Sequence, residues 1–199
     1  MTGPSLRERK KLRTRAAIQE HAVRLIDAQG YEATTVEQIA AAAEVSPATF
    51  FRYFKTKEDV VIEDDYDPLM VAALEHTPAD LPPLRAFRHA LRESFGQMPP
   101  DELDRILGRA KLIMSVPALR ARSVDNMLAT IDILSPPMAR RLGRPEGDPA
   151  IRALVGAVIG AWLAVLMDWL NSDGALSLPE LLDASLEALE DGFTAQPSA

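Results

Sequence analysis

The sequence predicts an all-α chain of about nine helices, and three observations carry that expectation. Apolar residues recur at three- and four-residue spacing nearly throughout, as they must if one face of each helix is to be buried. No stretch alternates with the period of two that a half-buried strand requires. The prolines cluster between the helical patterns, where a residue without an N–H costs least. At 199 residues, 47% of them hydrophobic, the chain has material for a small unit, a larger one and a sizeable core.

The first helix is expected from Leu6 or Arg9 to Gln29, with Ile18, Ala22, Leu25 and Ile26 on one face and Gly30 ending it. Thr35 followed by Gln38 is a capping-box spacing that starts a second helix, whose small apolar face is Ile39, Ala40 and Ala43. Ser46 then Pro47 starts a third: a hydroxyl to cap it, then a proline where the missing N–H is no loss. Thr56 and Asp59 cap a fourth that runs to His76 through Val60, Val61, Tyr66, Leu69, Met70 and Leu74, with Pro68 kinking or interrupting it. Leu84, Phe87, Leu91 and Phe95 mark a fifth, between the loop at Thr77–Pro83 and Pro99-Pro100. Leu103, Ile106, Leu107, Ala110, Ile113 and Met114 mark a sixth. A seventh starts at Pro117, carries Leu119, Val124, Leu128, Ile131 and Leu134, and breaks at Pro136-Pro137. After the linker 143–149 an eighth runs from Pro149 to Asn171 and a ninth from Leu178 to Phe193. The domain boundary is expected near residue 60, dividing an N-terminal domain, 7–60, from a larger bundle, 61–195.

The net charge of −7 is unevenly distributed. Residues 1–60 carry ten Lys and Arg against eight Asp and Glu, and residues 1–15 alone carry six against one. The acidic excess lies wholly in the remainder, so positive charge is concentrated where it can meet phosphates. No cysteine is present, which excludes disulfides and thiolate metal sites and fits a cytoplasmic protein. The N-terminus shows no apolar signal-peptide core. The longest uncharged apolar run, Ala153 to Met167, ends at Asp168 and falls short of the roughly 20 residues of a membrane span, so a buried helix is expected and no membrane.

Residues 34–57, TTVEQIAAAAEVSPATFFRYFKTK, thus read as two short capped helices joined by a tight turn and the start of another. One of the two has the size and setting to enter a major groove. Gly30-Tyr31, TTVEQIA, the turn into VSPATFFRYF and the following Lys-Thr-Lys-Glu-Asp together resemble the TetR family of one-component transcription regulators, over about residues 10–60. Glu44 departs from the glycine often found at that turn and is expected to take a positive φ. The resemblance and the chemistry agree on roles within a reading motif at 34–53. Ser46, Pro47, Ala48 and Thr49 open the reading helix; Pro47 and Ala48 offer apolar contact to thymine methyls, and the Thr49 hydroxyl donates or accepts. Phe51 adds contact at the groove. Tyr53, Lys57 and Thr35, the last with the free N–H groups of its helix start, are expected to hold phosphates. Arg7, Lys10, Lys11 and Arg13 are expected along the DNA backbone or in the minor groove. Phe50 and Phe54 are expected in the core, and Arg52 receives no role.

The resemblance implies that the C-terminal helices dimerise the protein and enclose an inducer pocket. Gly156, Gly160 and Ala164 recur every four residues in the eighth helix and permit close helix approach, while Leu178, Leu182 and Leu189 give the ninth a matching stripe. An intersubunit four-helix bundle from both is expected, matching a homodimer to a palindromic operator of double-stranded DNA. Phe87, Leu91, Phe95, Ile106, Ala110, Met114, Met127, Ile131 and Trp162 are the candidate pocket lining. The segment EDVVIEDDYDPL is similar to that of TetR-like proteins that sense acyl-CoA-like ligands, which implies an acyl chain in the cavity and Arg105, Arg109 or Arg120 near its phosphates. Glu63, Asp64, Asp65 and Asp67 are read as a solvated acidic face, with a cationic drug or metal as the alternative. His21, His76 and His89 lack metal-ligand spacing and no nucleophile motif appears, so no catalytic residue, cofactor or metal is expected. The expected function is a ligand-responsive repressor released from its operator by a small hydrophobic or acyl-CoA-like effector. The alternative is a helical small-molecule-binding protein or enzyme with an incidental helix-turn-helix.

Overall fold

The computed structural model describes residues 5–63, 66–96, 98 and 100–192, and among these it contains helices and no strand. The helices are α1 (Leu6–Gln29), α2 (Val36–Ala42), α3 (Pro47–Tyr53), α4 (Asp59–Ile62), α5 (Tyr66–His76), α6 (Pro83–Gly96), α7 (Pro100–Ser115), α8 (Pro117–Arg141), α9 (Pro149–Asn171) and α10 (Leu178–Glu190). They divide into two compact units. One is Met1–Glu63 with Leu112–Ser123; the other is Asp64–Lys111 with Val124–Ala199.

The first unit closes around Ile18, Ala22 and Ile26 of α1, Ile39 and Ala40 of α2, Phe50 and Phe54, and Val60 to Ile62 of α4. Leu119, early in α8, is fully buried in the same core, and Leu112, Ile113 and Val116 pack around it. The Arg122 guanidinium donates to the buried Asp59 carboxylate (2.9 Å). A boundary near residue 60 therefore omits a segment that folds with the N-terminal helices.

In the second unit α6 and α10 pack face to face. Their apolar sides meet α9 through Ala86, Phe87, Ala90, Val155, Val158 and Leu186. An ion-pair row seals the edge: Arg88 grips Asp183 with two bonds (2.9 and 3.0 Å), and Arg92 adds a third (2.6 Å).

Two helix expectations change. The predicted fourth helix is two elements, because the backbone is already extended at Glu63 (φ −69°, ψ 132°). Pro68 is not the interruption: it lies in the first turn of α5, where its missing N–H has no intrahelical partner to lose. Pro136 and Pro137 do not end α8, which continues to Arg141. Leu134 before the pair and Met138 and Ala139 after it are all buried in one core with Ile151 and Val155. That burial on both sides outweighs the roughly 3 kcal/mol that a proline costs inside a helix. Phe193, expected to end the last helix, lies outside the described residues.

Candidate nucleic-acid interface

The reading motif is built by local caps. The Thr35 hydroxyl accepts from the Gln38 N–H (3.2 Å) while the Gln38 side chain accepts from the Thr35 N–H (2.9 Å), a complete capping box. The helix ends in a Schellman motif: Val45 N–H donates to the Ala40 carbonyl (2.9 Å) and Glu44 N–H to the Ala41 carbonyl (3.1 Å). Glu44 takes φ of +54° to make that turn. Ser46 then caps α3, accepting from the Thr49 N–H (3.1 Å), with Pro47 in the first turn. Thr56 and Asp59 bond reciprocally, each side chain to the other's N–H (3.1 Å).

These caps fix which face of α3 looks outward. Phe50 and Phe54, four apart, are buried against the first unit's core. Pro47, Ala48, Phe51 and Arg52 lie exposed on the opposite side, with Thr49 and Tyr53 half-buried at its margins. Phe51 is 53% exposed, a large apolar ring left in solvent on a helix whose other phenylalanine is fully buried. The side chains at the start of this face, Pro47 and Ala48, are small and leave the helix backbone open to close approach. Arg7, Lys10, Lys11 and Arg13 are all exposed, but they belong to the first turns of α1 rather than to an extended arm.

Lys57, read from the sequence as a phosphate contact, is engaged within the protein. Its ammonium donates to the carbonyls of Tyr31 (2.9 Å) and Thr34 (3.0 Å) and lies 3.8 Å from the centre of the Tyr31 ring. It thereby ties down the turn that leads into Thr35. The Tyr31 hydroxyl donates to Glu58 next door. Burial, and then the Glu58 carboxylate, push the Tyr31 phenol well above its ordinary range. Burial pushes the Glu58 carboxyl up, but bonds from the Tyr31 hydroxyl, its own backbone and the Thr56 hydroxyl outweigh it and hold the group below the usual carboxylate range.

In the second unit the candidate pocket residues fall into adjoining apolar clusters. Phe95, Ile106, Ala110 and Trp162 share one, where the Phe95 and Trp162 rings are 5.8 Å apart; Phe87 and Ile131 share the other, and Leu91 touches both. Met127 is half-buried. Met114 is separated from them, on the segment that folds with the first unit. A small cleft opens beside this core, lined by Leu91, Phe95, Pro179 and Leu182, with Arg88, Arg92 and Asp183 at its rim. The sequence reading missed these charged residues. Their signal was the complementary spacing of Arg85, Arg88 and Arg92 against Asp183, Glu187 and Glu190.

Arg105 pairs with Asp101 and Glu102 on its own helix, and Arg109 lies 5.5 Å from the Tyr66 ring. Arg120 is exposed in the first unit. Of the acidic group, Glu63 pairs with Arg15 (3.2 Å) and Asp67 accepts from the Thr130 hydroxyl (3.0 Å), while Asp64 and Asp65 lie outside the described residues. Among the described residues no three His, Asp or Glu side chains converge as a metal would require.

Along α9, Ala153, Ala157, Gly160 and Ala164 are exposed in a stripe and Gly156 is half-buried. A Cβ at Gly160 would meet nothing within 4 Å, so nothing within this chain demands glycine there. The α10 leucines are differently placed. Leu178 and Leu182 are buried in the core of their own chain, whereas Leu189 packs against it only partly buried, so the stripe expected at a dimer interface is largely covered from within the chain. By length and composition α9 is long and apolar enough to cross a membrane, though the uncharged run alone falls short, and 28% of its most apolar window is buried.

Comparison with known proteins bears on both units. The family described as bacterial regulatory proteins, tetR family, matches residues 18–63, and the MftR C-terminal domain matches residues 81–194. The regulator TcmR of Streptomyces glaucescens is 46% identical over 114 residues, 56% of this chain and 50% of its own length, so the chain spans about half of that relative. The putative mycofactocin biosynthesis transcriptional regulator MftR of Mycobacterium tuberculosis is 27% identical over 93% of both chains. Among solved structures, Thermus thermophilus FadR in complex with lauroyl-CoA has a TM-score of 0.56 at 24% identity, covering 93% of this chain and 98% of its own. Bacillus subtilis FadR in complex with stearoyl-CoA has a TM-score of 0.54 at 19% identity, covering 89% and 98%. Those likenesses are of fold.

Proposed function

The chain belongs to the TetR family of bacterial transcription regulators, and we propose that it is a homodimeric, cytoplasmic repressor released from a palindromic operator by a small hydrophobic or acyl-CoA-like effector. The observation that carries the DNA half of this reading is the outward face of α3, small at Pro47 and Ala48 and aromatic at Phe51, held by the buried Phe50 and Phe54. Ser46, Pro47, Ala48, Thr49 and Phe51 meet the base edges. Thr35 and Tyr53 meet phosphates, Lys57 acts through the turn it holds, and Arg7, Lys10, Lys11 and Arg13 add positive charge along the DNA backbone. Two such heads related by a twofold axis read half-sites about 34–36 Å apart or a multiple of it.

The exposed small-residue stripe of α9, with Gly160 and Ala164 at its centre, supports dimerisation there rather than a membrane span. The effector is taken up among the apolar side chains of α6, α7 and α9, a reading supported by the acyl-CoA complexes of the two FadR neighbours. Its differential affinity for two states of the protein releases the DNA. The change passes along α7 and α8, each of which runs unbroken from the second unit into the first.

A gel shift of the full-length protein on its own upstream DNA tests this. Affinity should fall with salt at a log–log slope of about −0.9 per phosphate neutralised. Thr49→Ala should change base preference while Tyr53→Phe weakens all sequences alike. Salt-independent binding, or none, sinks the DNA reading; binding that no acyl-CoA or hydrophobic ligand relieves sinks the effector reading.

A further inference from the structure

We infer that Arg52 is a specificity-determining residue that reads a guanine in each half-site, resting on the proposal above that α3 enters the major groove. Among the described residues its guanidinium takes part in no hydrogen bond or ion pair. Its one partner is the face of the neighbouring Tyr53 ring, 5.5 Å away. The neighbouring cations are placed differently: Lys57 donates to two carbonyls, Arg15 lies over the Phe54 ring and pairs with Glu63, and Lys55 is exposed but lies beyond the C-terminal end of α3.

The position of Arg52 matches the task. Ala48, Phe51 and Arg52 fall three and four apart, on the exposed side of the helix. Ala48 and Arg52 are separated by about 6 Å along the helix axis, close to two base-pair steps. A helix that touches the base edges with Pro47 and Ala48 at one end needs a longer side chain to reach them from the other. Arg52 has that reach, and Phe51 beside it excludes water. Its planar fork of donors fits the two acceptors, N7 and O6, that guanine presents in the major groove. Stacking on Tyr53 holds the fork partly ordered before DNA arrives, so less rotamer freedom is lost on binding.

The test selects binding sites for the full-length protein from a random DNA pool and repeats the selection with R52A and R52K. The expected wild-type result is a palindrome with guanine at one position per half-site, preferred about tenfold to a hundredfold. R52A should lose that preference to below about threefold at that position alone, with the other positions unchanged. R52K, which keeps the charge without the fork, should recover overall affinity but only part of the guanine preference. Uniform weakening by R52A with every base preference intact, and a salt slope reduced by about 0.9, would make Arg52 a phosphate contact and overturn the inference. A wild-type pool that enriches no sequence would overturn the DNA-reading proposal itself. Arg52 is exposed, so circular dichroism of R52A should match wild type.

Discussion

Replacing Lys57 by methionine removes the ammonium while keeping an unbranched stem of similar length. In the structure that ammonium donates to the carbonyls of Tyr31 and Thr34 at 2.9 and 3.0 Å and sits over the Tyr31 ring. A hydrogen bond with a charged donor contributes about 1.5–3 kcal/mol, and a cation over an aromatic face at a part-exposed site about 0.5–1. Lys57 is half-buried, so water recovers part of each carbonyl's loss and the low end applies. The net cost is about 2–4 kcal/mol, which for a chain of this length lowers the thermal midpoint by roughly 5–15 °C. Because Thr34 precedes the Thr35 cap, DNA affinity should fall as well. The salt slope separates the two roles. If the ammonium is committed to the carbonyls, Lys57→Met weakens binding without changing the slope; if it leaves them for a phosphate, the slope drops by about 0.9. Thermal unfolding followed by circular dichroism, with binding measured from 50 to 200 mM salt, decides it. A midpoint within about 2 °C of wild type together with a shallower slope would refute the structural role.

Three further perturbations probe other contacts of the fold. Asp59→Ala removes the acceptor for the Thr56 N–H and for Arg122, and should cost about 2–4 kcal/mol in urea unfolding; a double-mutant cycle with Arg122→Ala that shows no coupling would disprove the ion pair's share. Glu44→Gly relieves a positive φ of 54° and should stabilise the protein by about 0.5–1 kcal/mol, so a lower urea midpoint would count against strain at that turn. The bonds from Arg88, working against burial and aided by Arg92, hold the Asp183 carboxyl at about 2. A depressed carboxylate stabilises the fold above its ordinary value of 3.8 and loses that contribution as pH falls toward 2. Wild type should therefore lose stability between pH 4 and 2 more steeply than Asp183→Asn, and equal slopes would remove the row's assigned role.

What could be read in the sequence was local. The caps at Thr35 with Gln38, at Ser46 ahead of Pro47, where the hydroxyl accepts from the Thr49 N–H, and at Thr56 with Asp59 each span three residues, and all three form. The outward and inward sides of α3 follow from its period, since Phe50 and Phe54 can share a face only if Ala48 and Arg52 share the other. Lys57 was not legible in the same way: its two carbonyl partners lie 23 and 26 residues earlier, and an exposed phosphate contact has the same local sequence. The α10 stripe shows the same limit. Leu178, Leu182 and Leu189 announce that one face will be buried, but periodicity carries no information about whether the covering surface belongs to the same chain or to a copy. Pro136 and Pro137 misled for a related reason, because the local cost of a proline pair was visible and the burial of Leu134 and Met138 around it was not.

The segment Leu112–Ser123 takes this further. Sequence order assigns it to the larger unit, yet Leu119 is fully buried among Ile18, Phe50 and Val61, and Arg122 meets Asp59. The chain consequently passes between the units three times, after Glu63, after Lys111 and after Ser123. At Glu63 the backbone is extended, whereas the other two passages occur inside α7 and α8. A continuous helix transmits displacement along its axis because bending it means breaking backbone hydrogen bonds, while an extended residue turns at little cost. In the effector response proposed above, Leu119 and Arg122 are the residues of α8 through which a shift of that helix would reach the core beneath α3. Pro68, which the sequence marked as a kink or interruption of the predicted fourth helix, lies in the first turn of α5 and contributes no break.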